Sequence, residues 1–337
     1  MVAVLFIVFL VALAIGVPVA FSLGLASVAY MLGSHIQMIN FAQYFFKGLD
    51  SFTLLCIPGF TFAGNLMNQG GISEKLLDFA DALVGHITGG LAYANVLASM
   101  VFAGISGTAL SDTVALGGVE IPMMVNQGYD VPFSVAITAA SSCLGPIIPP
   151  SVPMIMAATM TGLSVSKMFM AGFIPGILIA ISLCVVHYFR CKDISTAGMS
   201  WNARNLLFSL KDGFWSILAP LIILGGIYAG WFTPTEAAVV AIFYTLLVGL
   251  FIHRELRLRS IMASLKTTSW LSGRVLVLVF TATSFGFLLT SHRIPNEIAT
   301  MVLSLTDNVY VVWVFVVLLL VFLGMFMETL AIIMLVT

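Results

Sequence analysis

Long apolar runs, interrupted by short polar or glycine- and proline-containing breaks, extend along the whole chain. The first two runs predict helices at roughly 2–16 and 18–34, separated by a break at Gly16 and Pro18. Further helices are predicted at roughly 51–68, 90–105, 109–125, 132–144, 151–162, 168–189, 214–231, 235–252 and 271–290. A bilayer crossing needs about 20 apolar residues, so the pattern predicts an all-α polytopic membrane protein.

The polar segments between these runs set the predicted orientation. Residues 73–87 are amphipathic and should lie on the membrane or against another helix. Lysines and arginines cluster in two loops, at 190–212 and 253–267. Because two crossings separate these loops, both lie on one side, which the positive-inside rule makes cytoplasmic. An N-terminus on the outside then requires 90–125 to enter and leave the membrane on one side, as a re-entrant hairpin.

Composition excludes the soluble classes of protein. Hydrophobic residues make up 61% of the 337 residues, charged residues 8%, and the mean hydropathy is +1.13, whereas a soluble domain carries about 25% charged residues. The net charge of −1, without a basic block, argues against nucleic-acid binding. The N-terminal run lacks a basic segment before it, so we interpret it as a membrane helix and not as a signal peptide. The four cysteines, which have neither CxxC spacing nor histidine partners, are interpreted as buried thiols.

The segment FAGISGTALSDTVALGG, at 102–118, is the first of two broken elements. It combines glycines with five hydroxyl or carboxylate side chains in otherwise apolar sequence. Backbone that leaves a helix within the membrane must be satisfied by protein, water or an ion. The Ser-Gly-Thr tip offers the oxygen ligands that a sodium ion prefers, and the nearby Asp112 is an intramembrane carboxylate. The alternative is a packing seam of small residues in which Asp112 caps the second half-helix.

The segment SSCLGPIIPPSVP, at 141–153, is the second broken element. It has four prolines within eight residues, and each proline removes a backbone donor and clashes with the preceding turn. Because apolar helix is predicted on both sides, we expect a broken helix over about 132–162 whose freed carbonyls face a ligand. A kink that serves packing alone would need only one proline.

The sequence Thr233-Pro-Thr-Glu236 has the pattern of a capping box, with proline at the first helical position. We interpret Thr233 and Glu236 as a structural helix cap. The alternative role for Glu236 is that of a proton or cation ligand.

The two halves of the chain resemble each other at an offset of roughly 220 residues. Matching segments lie at 64–67 and 286–289, at 72–75 and 294–297, and at 100–104 and 320–324. The predicted topology places the equivalents on opposite membrane faces, as in the inverted repeats of alternating-access transporters. We therefore predict a first repeat at 1–190, a cytoplasmic connector at 191–213 and a second repeat at 214–337. By this comparison the second repeat is expected to be truncated within its hairpin.

Three motifs together, in their order along the chain, resemble the large membrane subunit of tripartite ATP-independent periplasmic (TRAP) transporters. The motifs are FAGISGTALSDTVALGG, CLGPIIPPSVPMI and GWFTPTEAAVVA. GMFMETLAI, at 324–332, is similar to the start of that subunit's second hairpin. The likeness extends through the whole chain. It implies an elevator-type fold, with a mobile transport domain and a scaffold, in the bacterial inner membrane.

The resemblance also implies an activity and its partners. The activity is sodium-coupled uptake of an organic acid, such as a C4-dicarboxylate or a sialic acid, with no cofactor besides the coupling Na⁺. The partners are a soluble periplasmic binding protein that delivers the solute and a small four-helix membrane subunit.

Matched position by position, the resemblance implies a sodium site. Its ligands would be the hydroxyls of Ser106 and Thr108 and the backbone carbonyls of Gly145, Ile148 and Pro150, with the Asp112 carboxylate nearby. Neighbouring residues, and two that begin a mirror-image second site, are the candidates for solute and second-site contacts: Gly107, Ser111, Thr113, Pro149, Ser151, Glu328 and Thr329. We expect sodium to order both broken elements before the solute binds between the two half-sites.

Three other functions stay open on the residues alone. A stand-alone ion-coupled carboxylate or anion transporter of similar fold would need no binding protein. A membrane-embedded enzyme would need a catalytic dyad or paired aspartates, and the sequence has no HExxH, DDxxD or GxxxxGK[ST] motif. A simple channel is disfavoured because the hairpins would close its pathway.

The predicted topology can be tested by cysteine labelling. A cysteine in place of Ser195, with the four native cysteines replaced, should react with a membrane-impermeant maleimide only after the inner membrane is opened. A cysteine in place of Trp231, on the other side of the neighbouring crossing, is the matched control and should react in intact spheroplasts. Labelling at position 195 in intact spheroplasts would contradict the topology.

Overall fold

The structure, a computed structural model, describes residues 2–191, 203–305, 308–325 and 327–336. Throughout these residues the regular elements are helical, as the apolar pattern predicts. In chain order the helices are α1 (Val2–Ala14), α2 (Val19–Gly33), α3 (Met38–Leu49), a 3₁₀ turn (Phe52–Leu55), α4 (Cys56–Gln69), α5 (Ile72–Val84), α6 (Gly90–Ser106), α7 (Ala109–Asn126), α8 (Val131–Ser142), α9 (Val152–Thr161), α10 (Val165–Arg190), α11 (Ala203–Asp212), α12 (Phe214–Tyr228), α13 (Pro234–Leu247) with a π turn (Val248–Ile252), α14 (Leu258–Ser291), α15 (Ile294–Leu305), α16 (Val309–Gly324) and α17 (Thr329–Val336).

Several of these helices are long and apolar enough to cross a bilayer. Among the described residues, three pass by length and composition, namely α10, α13 with its π turn, and α14. A fourth span results if α11 and α12, which meet at 60°, are taken together, and shorter apolar helices of 10–17 residues accompany them. The chain is therefore a multi-pass membrane protein.

The start of α14 differs from the prediction. The apolar pattern predicts a crossing near 271–290 after a polar loop, whereas α14 already begins at Leu258. The buried side of the first part of α14 carries hydroxyl side chains, since Ser264 is only 2% exposed and Thr268 only 6%. Thr268 Oγ1 accepts a hydrogen bond from Asn65 Nδ2 at 3.1 Å. Apolar periodicity cannot detect a helix face that is buried through polar side chains.

Contacts cluster the chain into two compact units, which are Met1–Phe52 with Leu271–Thr337, and Thr53–Trp270. In the first unit, α1 and α2 form an antiparallel pair around a turn at Gly16, whose φ is +91°. The C-terminal part of α14 packs against this pair, with the Phe9 and Phe285 ring centroids 5.7 Å apart. At the other end of α2, Tyr30 hydrogen-bonds His292.

The second unit is built around the predicted hairpin. Its arms α6 and α7 pack against each other and against α8, and α10 covers α6 and α8. Leu91, Met124, Ile137 and Leu144, drawn from these elements, are buried in one apolar cluster. Elsewhere in this unit α4 packs closely on α13. The hairpin is therefore held on several sides by helices of its own unit.

The amphipathic segment predicted at 73–87 forms α5, which packs against α6 and α11. Leu76 and Ala80 are buried on its inner face. On its outer face Lys75 Nζ lies 2.6 Å from Asp212 Oδ2 of α11, and this contact raises the pKa of the Lys75 ammonium. Of the two predicted locations for the segment, contact with another helix is the one observed.

The four cysteines are free thiols, but their predicted burial is only partly correct. Cys56 and Cys191 are buried, whereas Cys184 is partly exposed and Cys143 is exposed. Cys143 is the residue that follows α8 at the start of the break.

The predicted capping box is present at the start of α13. Thr233 Oγ1 accepts a hydrogen bond from the Glu236 N–H at 3.3 Å, and Glu236 Oε2 accepts one from the Thr233 N–H at 2.8 Å. Two N–H groups that a helix start leaves unpaired are satisfied in this way.

Replacing Thr233 with alanine should therefore destabilise the protein. We expect T233A to lower the free energy of unfolding by about 1 kcal/mol, measured as a lower thermal midpoint of the purified protein. T233S, which keeps the hydroxyl, is the matched control and should stay near the wild-type midpoint. Equal midpoints for T233A and wild type would contradict a stabilising cap.

Candidate functional site

The hairpin tip is a two-residue connection between α6 and α7. α6 ends at Ser106, and Gly107 leaves the helix with φ +64°, in the left-handed region that favours glycine. The Gly107 N–H still donates to the Ala103 carbonyl at 3.2 Å. Thr108 then turns the chain into α7, where its carbonyl accepts from the Asp112 N–H at 3.3 Å.

The break between α8 and α9 spans residues 143–151, as the prolines predict. It continues past α8 as tight turns, in which the N–H groups of Gly145 and Ile148 donate to the carbonyls of Ser142 and Leu144 at 3.0 and 2.8 Å. Ser151 closes the break because its hydroxyl donates to the Pro146 carbonyl at 2.6 Å and also caps α9.

The tip and the break lie against each other, backbone to backbone. The Val152 N–H donates to the Gly107 carbonyl at 3.3 Å. A Cβ atom on Gly145 would lie 2.9 Å from the Thr108 carbonyl carbon and oxygen, and one on Gly107 would lie 2.8 Å from the Pro150 carbonyl oxygen. The two broken elements therefore meet at a point where only glycines fit, and Thr108, Gly145 and Pro150 of the predicted site are brought together there.

Several carbonyl oxygens at this meeting point receive no backbone hydrogen bond. Within the part of the chain that the structure describes, no backbone N–H donates to the carbonyls of Gly145, Ile148 or Pro150. The C-terminal ends of α6 and α8 come to the same place, and each carries a partial negative charge. Both features favour a bound cation.

Asp112 places a carboxyl group in the same region. It is fully buried, and its hydroxyl neighbours are Ser99 and Ser142. These hydroxyls lie 3.0 Å from Ser141 Oγ and 2.7 Å from the Thr138 carbonyl, and both are also within reach of the Asp112 carboxylate. A buried carboxylate is costly unless a cation or a proton accompanies it.

Five buried side chains behind the tip form a connected polar ladder across three helices. They are Asn95 and Ser99 of α6, Glu120 of α7, and Thr138 and Ser141 of α8. Asn95 Nδ2 donates to Glu120 Oε2 and, at 2.8 Å, to Thr138 Oγ1. Ser141 Oγ donates to Asn95 Oδ1 at 2.7 Å and accepts from Ser99 Oγ at 3.0 Å. The polar ladder thus connects both hairpin arms to the helix that precedes the break.

Sequence reasoning missed Asn95 and Glu120, although a signal for both is present. Asn95 precedes Ser99 by one turn of α6, and Glu120 follows Asp112 by about two turns of α7. Polar side chains at this spacing within apolar runs share a helix face. Such a spacing indicates a buried polar seam between membrane helices.

The remaining predicted site residues of this unit have simpler surroundings. The Thr113 hydroxyl donates to the Ala109 carbonyl of its own helix at 2.9 Å. The Ile148 side chain is buried in the apolar cluster around the hairpin. Pro149 is buried within the break. The side chains of Ser106 and Ser111 lie outside the described part of the structure.

The candidates for the second site lie in the other compact unit. Thr329 is the first residue of α17, and Glu328 precedes it in the break after α16. Glu328 Oε2 lies 3.1 Å from an Arg274 guanidinium nitrogen of α14, and both side chains are more than half exposed. Sequence reasoning did not identify Arg274, because no local motif links it to a residue 54 positions away.

An apolar crevice of about 200 Å³ lies next to the break. Its lining consists of Met100, Val101, Ile148, Phe173, Ile177, Pro220 and Leu224. A crevice with this lining suits neither a cation nor an organic acid, because it offers no polar group to replace water.

The close contact between tip and break can be tested at Gly145. G145A places a methyl group against the Thr108 backbone, so we expect it to lower the free energy of unfolding by about 1–3 kcal/mol. G118A is the matched control, since a Cβ there meets no atom within 4 Å and alanine favours a helix interior by about 0.5–1 kcal/mol. Thermal unfolding of both purified variants distinguishes them, and a G145A midpoint at or above that of G118A would contradict the contact.

Comparison with known proteins agrees with this geometry. The model of a family described as "Tripartite ATP-independent periplasmic transporter, DctM component" matches residues 6–337. The sialic acid TRAP transporter large permease protein of Vibrio cholerae is 41% identical over 322 residues, which are 95% of this chain and 75% of that protein. The C4-dicarboxylate TRAP transporter large permease protein of Pseudomonas aeruginosa is 39% identical over 314 residues, 93% of this chain and 74% of that protein.

A further relative differs in length. The sialic acid TRAP transporter permease protein of Haemophilus influenzae is 39% identical over 326 residues, 96% of this chain, but the match spans only about half, 53%, of that protein. All these relatives are named as transporter permeases and none as an enzyme. A family match over nearly the whole chain, together with a helical hairpin whose tip contacts a proline-broken helix, identifies this chain as a member of the TRAP transporter large permease family.

Proposed function

We propose that this chain is the membrane permease of a sodium-coupled uptake system for a small organic acid. Sodium binds where the hairpin tip meets the break, and the solute binds beside it. The single observation that carries this proposal is the contact between the hairpin tip and the break. There, within the described residues, the carbonyls of Gly145, Ile148 and Pro150 receive no backbone N–H, and the buried Asp112 lies one helical turn from the tip.

The oxygen set favours sodium among the available cations. The donors are the carbonyls of Gly145, Ile148 and Pro150, the Thr108 hydroxyl or carbonyl, and the Asp112 carboxylate nearby. Hard oxygen ligands of this kind suit an alkali or alkaline-earth ion better than a transition metal, which prefers imidazole or thiolate. With only one carboxylate in the set, a monovalent ion is balanced and a divalent ion is not.

Helix ends at the same point favour an anionic solute next to the cation. The tip and the break contain the C-terminal ends of α6 and α8, and also the N-terminal ends of α7 and α9. N-terminal ends carry a partial positive charge, which favours a nearby carboxylate. Occupation of the cation site then increases the affinity for the anion, and this mutual stabilisation couples the two fluxes.

The solute class and the partners follow from the relatives. Those compared are named for sialic acid and for C4-dicarboxylates, and both kinds of solute carry a carboxylate. The family description is that of a tripartite system, so we propose that a periplasmic binding protein delivers the solute and that a small membrane subunit accompanies the permease in the bacterial inner membrane. We further propose an elevator mechanism on inverted repeats, in which the hairpin and the broken helix move together.

Transport into proteoliposomes tests this function. The permease is reconstituted with its small subunit, and uptake of sialic acid or a C4-dicarboxylate is measured under an inward sodium gradient, with and without the binding protein. We expect uptake only when both sodium and the binding protein are present. Uptake without the binding protein would instead establish a stand-alone carrier, and uptake without sodium would exclude the sodium coupling.

Asp112 gives a residue-level prediction within the same assay. D112N removes the charge but keeps the shape, so the sodium concentration for half-maximal uptake should rise roughly tenfold, the equivalent of about 1.4 kcal/mol of lost charge-assisted contact. D212N is the matched control, because Asp212 is an exposed carboxylate paired with Lys75. Unchanged sodium dependence in D112N would remove Asp112 from the site.

A further inference from the structure

The polar ladder of Asn95, Ser99, Glu120, Thr138 and Ser141 has no part in the function proposed above. None of its members belongs to the predicted ion site, yet four of them are fully buried and Glu120 is 7% exposed. Buried carboxyl and amide groups are rare within membrane helices and are costly unless fully paired. Their presence behind the tip therefore requires an explanation.

The donors and acceptors of the polar ladder match completely around Asn95. Its amide supplies two N–H donors, one for Glu120 and one for Thr138, and its carbonyl accepts from Ser141. The Thr138 hydroxyl can accept because its own hydrogen is directed to the Ser134 carbonyl at 2.9 Å. Asn95 thus connects one side chain of α7 and two of α8, and an apolar residue at 95 would leave all three without this partner.

The order of the hydrogen bonds leads from Glu120 to the surroundings of Asp112. Ser141 donates to Asn95 and therefore accepts from Ser99, and the Ser99 hydroxyl also lies within hydrogen-bonding reach of the Asp112 carboxylate. If Asn95 no longer accepts, the Ser141 hydroxyl can turn, and the orientation of Ser99 changes with it. The hydrogen bonding around the Asp112 carboxyl group would change as a result.

The polar ladder also sets the register of the helices that carry the site. Apolar packing would hold α6, α7 and α8 together about as well, but it tolerates sliding, whereas a fully paired set of hydrogen bonds has a single register. Ser141 is the last residue but one of α8, so this register fixes where the break begins relative to the hairpin tip.

We propose that Asn95 and Glu120 are positioning residues for sodium binding. Acting through Ser141 and Ser99, they hold the hairpin tip and the helix break at the spacing and register that sodium binding requires. This inference rests on the proposed function, because it assumes that sodium binds at the tip. It extends that function to two residues that do not touch the ion.

Sodium-dependent thermal stabilisation of the purified protein tests the proposal without requiring its partners. A ligand that binds the folded state raises the unfolding temperature according to its affinity. Sodium is titrated against choline at constant ionic strength, and the half-saturating concentration is compared between wild type, N95L, S141A, E120Q and S134A. S134A is the matched control, because Ser134 is buried on α8 and bonds only within its own helix, to the Asp130 carbonyl.

We expect N95L and S141A to raise the half-saturating sodium concentration about tenfold or more, the size of effect that outer-shell partners have at metal sites. S134A should match wild type, and E120Q should stay within about threefold, because a glutamine oxygen still accepts from Asn95. If N95L does not fold, S141A, which removes a single oxygen, decides the question.

Two results would overturn the proposal. N95L and S141A that unfold at lower temperature but keep the wild-type sodium titration would show a purely structural role. E120Q that weakens sodium binding as strongly as N95L would show that the charge of Glu120, and not its hydrogen bond, is required. A wild-type protein that sodium stabilises no better than choline would refute the proposed sodium site itself, which is a different and recognisable failure.

Discussion

The structure depends on one constraint, which is that backbone groups released from a helix within a membrane must find partners there. Two elements of this chain break their helices, one at Gly107 and one between Ser142 and Val152. Each break supplies a hydrogen-bond partner for the backbone of the other, since the Val152 N–H donates to the Gly107 carbonyl. Among the described residues the carbonyls of Gly145, Ile148 and Pro150 receive no backbone N–H, and the sodium site that we propose lies there.

Two glycines allow the hairpin tip and the break to come into backbone contact, and Ser151 stabilises the break. Side chains at Gly107 or Gly145 would hold the two backbones apart. Ser151 bonds across the break to the Pro146 carbonyl and caps the following helix. Close backbone approach and local capping therefore position carbonyl oxygens that a continuous helix would use internally.

Behind this contact, stability and site geometry depend on the same interactions. The buried bonds from Asn95 hold the two hairpin arms against α8, and α8 ends where the break begins. A fully paired polar set inside an apolar environment is sensitive to the loss of any member. A change well behind the tip can therefore alter the surroundings of Asp112 without touching the residues that line the break.

The sequence by itself determined the features that depend on neighbouring residues. Apolar run lengths predicted most helices, the prolines of 141–153 predicted the break, and the spacing of Thr233 and Glu236 predicted the capping box, because each of these depends on bonds within a few residues. The start of α14 escaped prediction, since its buried face uses Ser264 and Thr268 where periodicity expects apolar side chains.

Only the tertiary structure decided which distant groups meet. It brought Gly145 against Thr108, buried Asp112 beside Ser99 and Ser142, joined Asn95 to Glu120 and paired Arg274 with Glu328. Asn95 and Glu120 are 25 positions apart in the chain, and Arg274 and Glu328 are 54 positions apart. No local pattern encodes them, because a side chain's distant neighbours are set by how whole helices pack and not by the residues beside it in the chain.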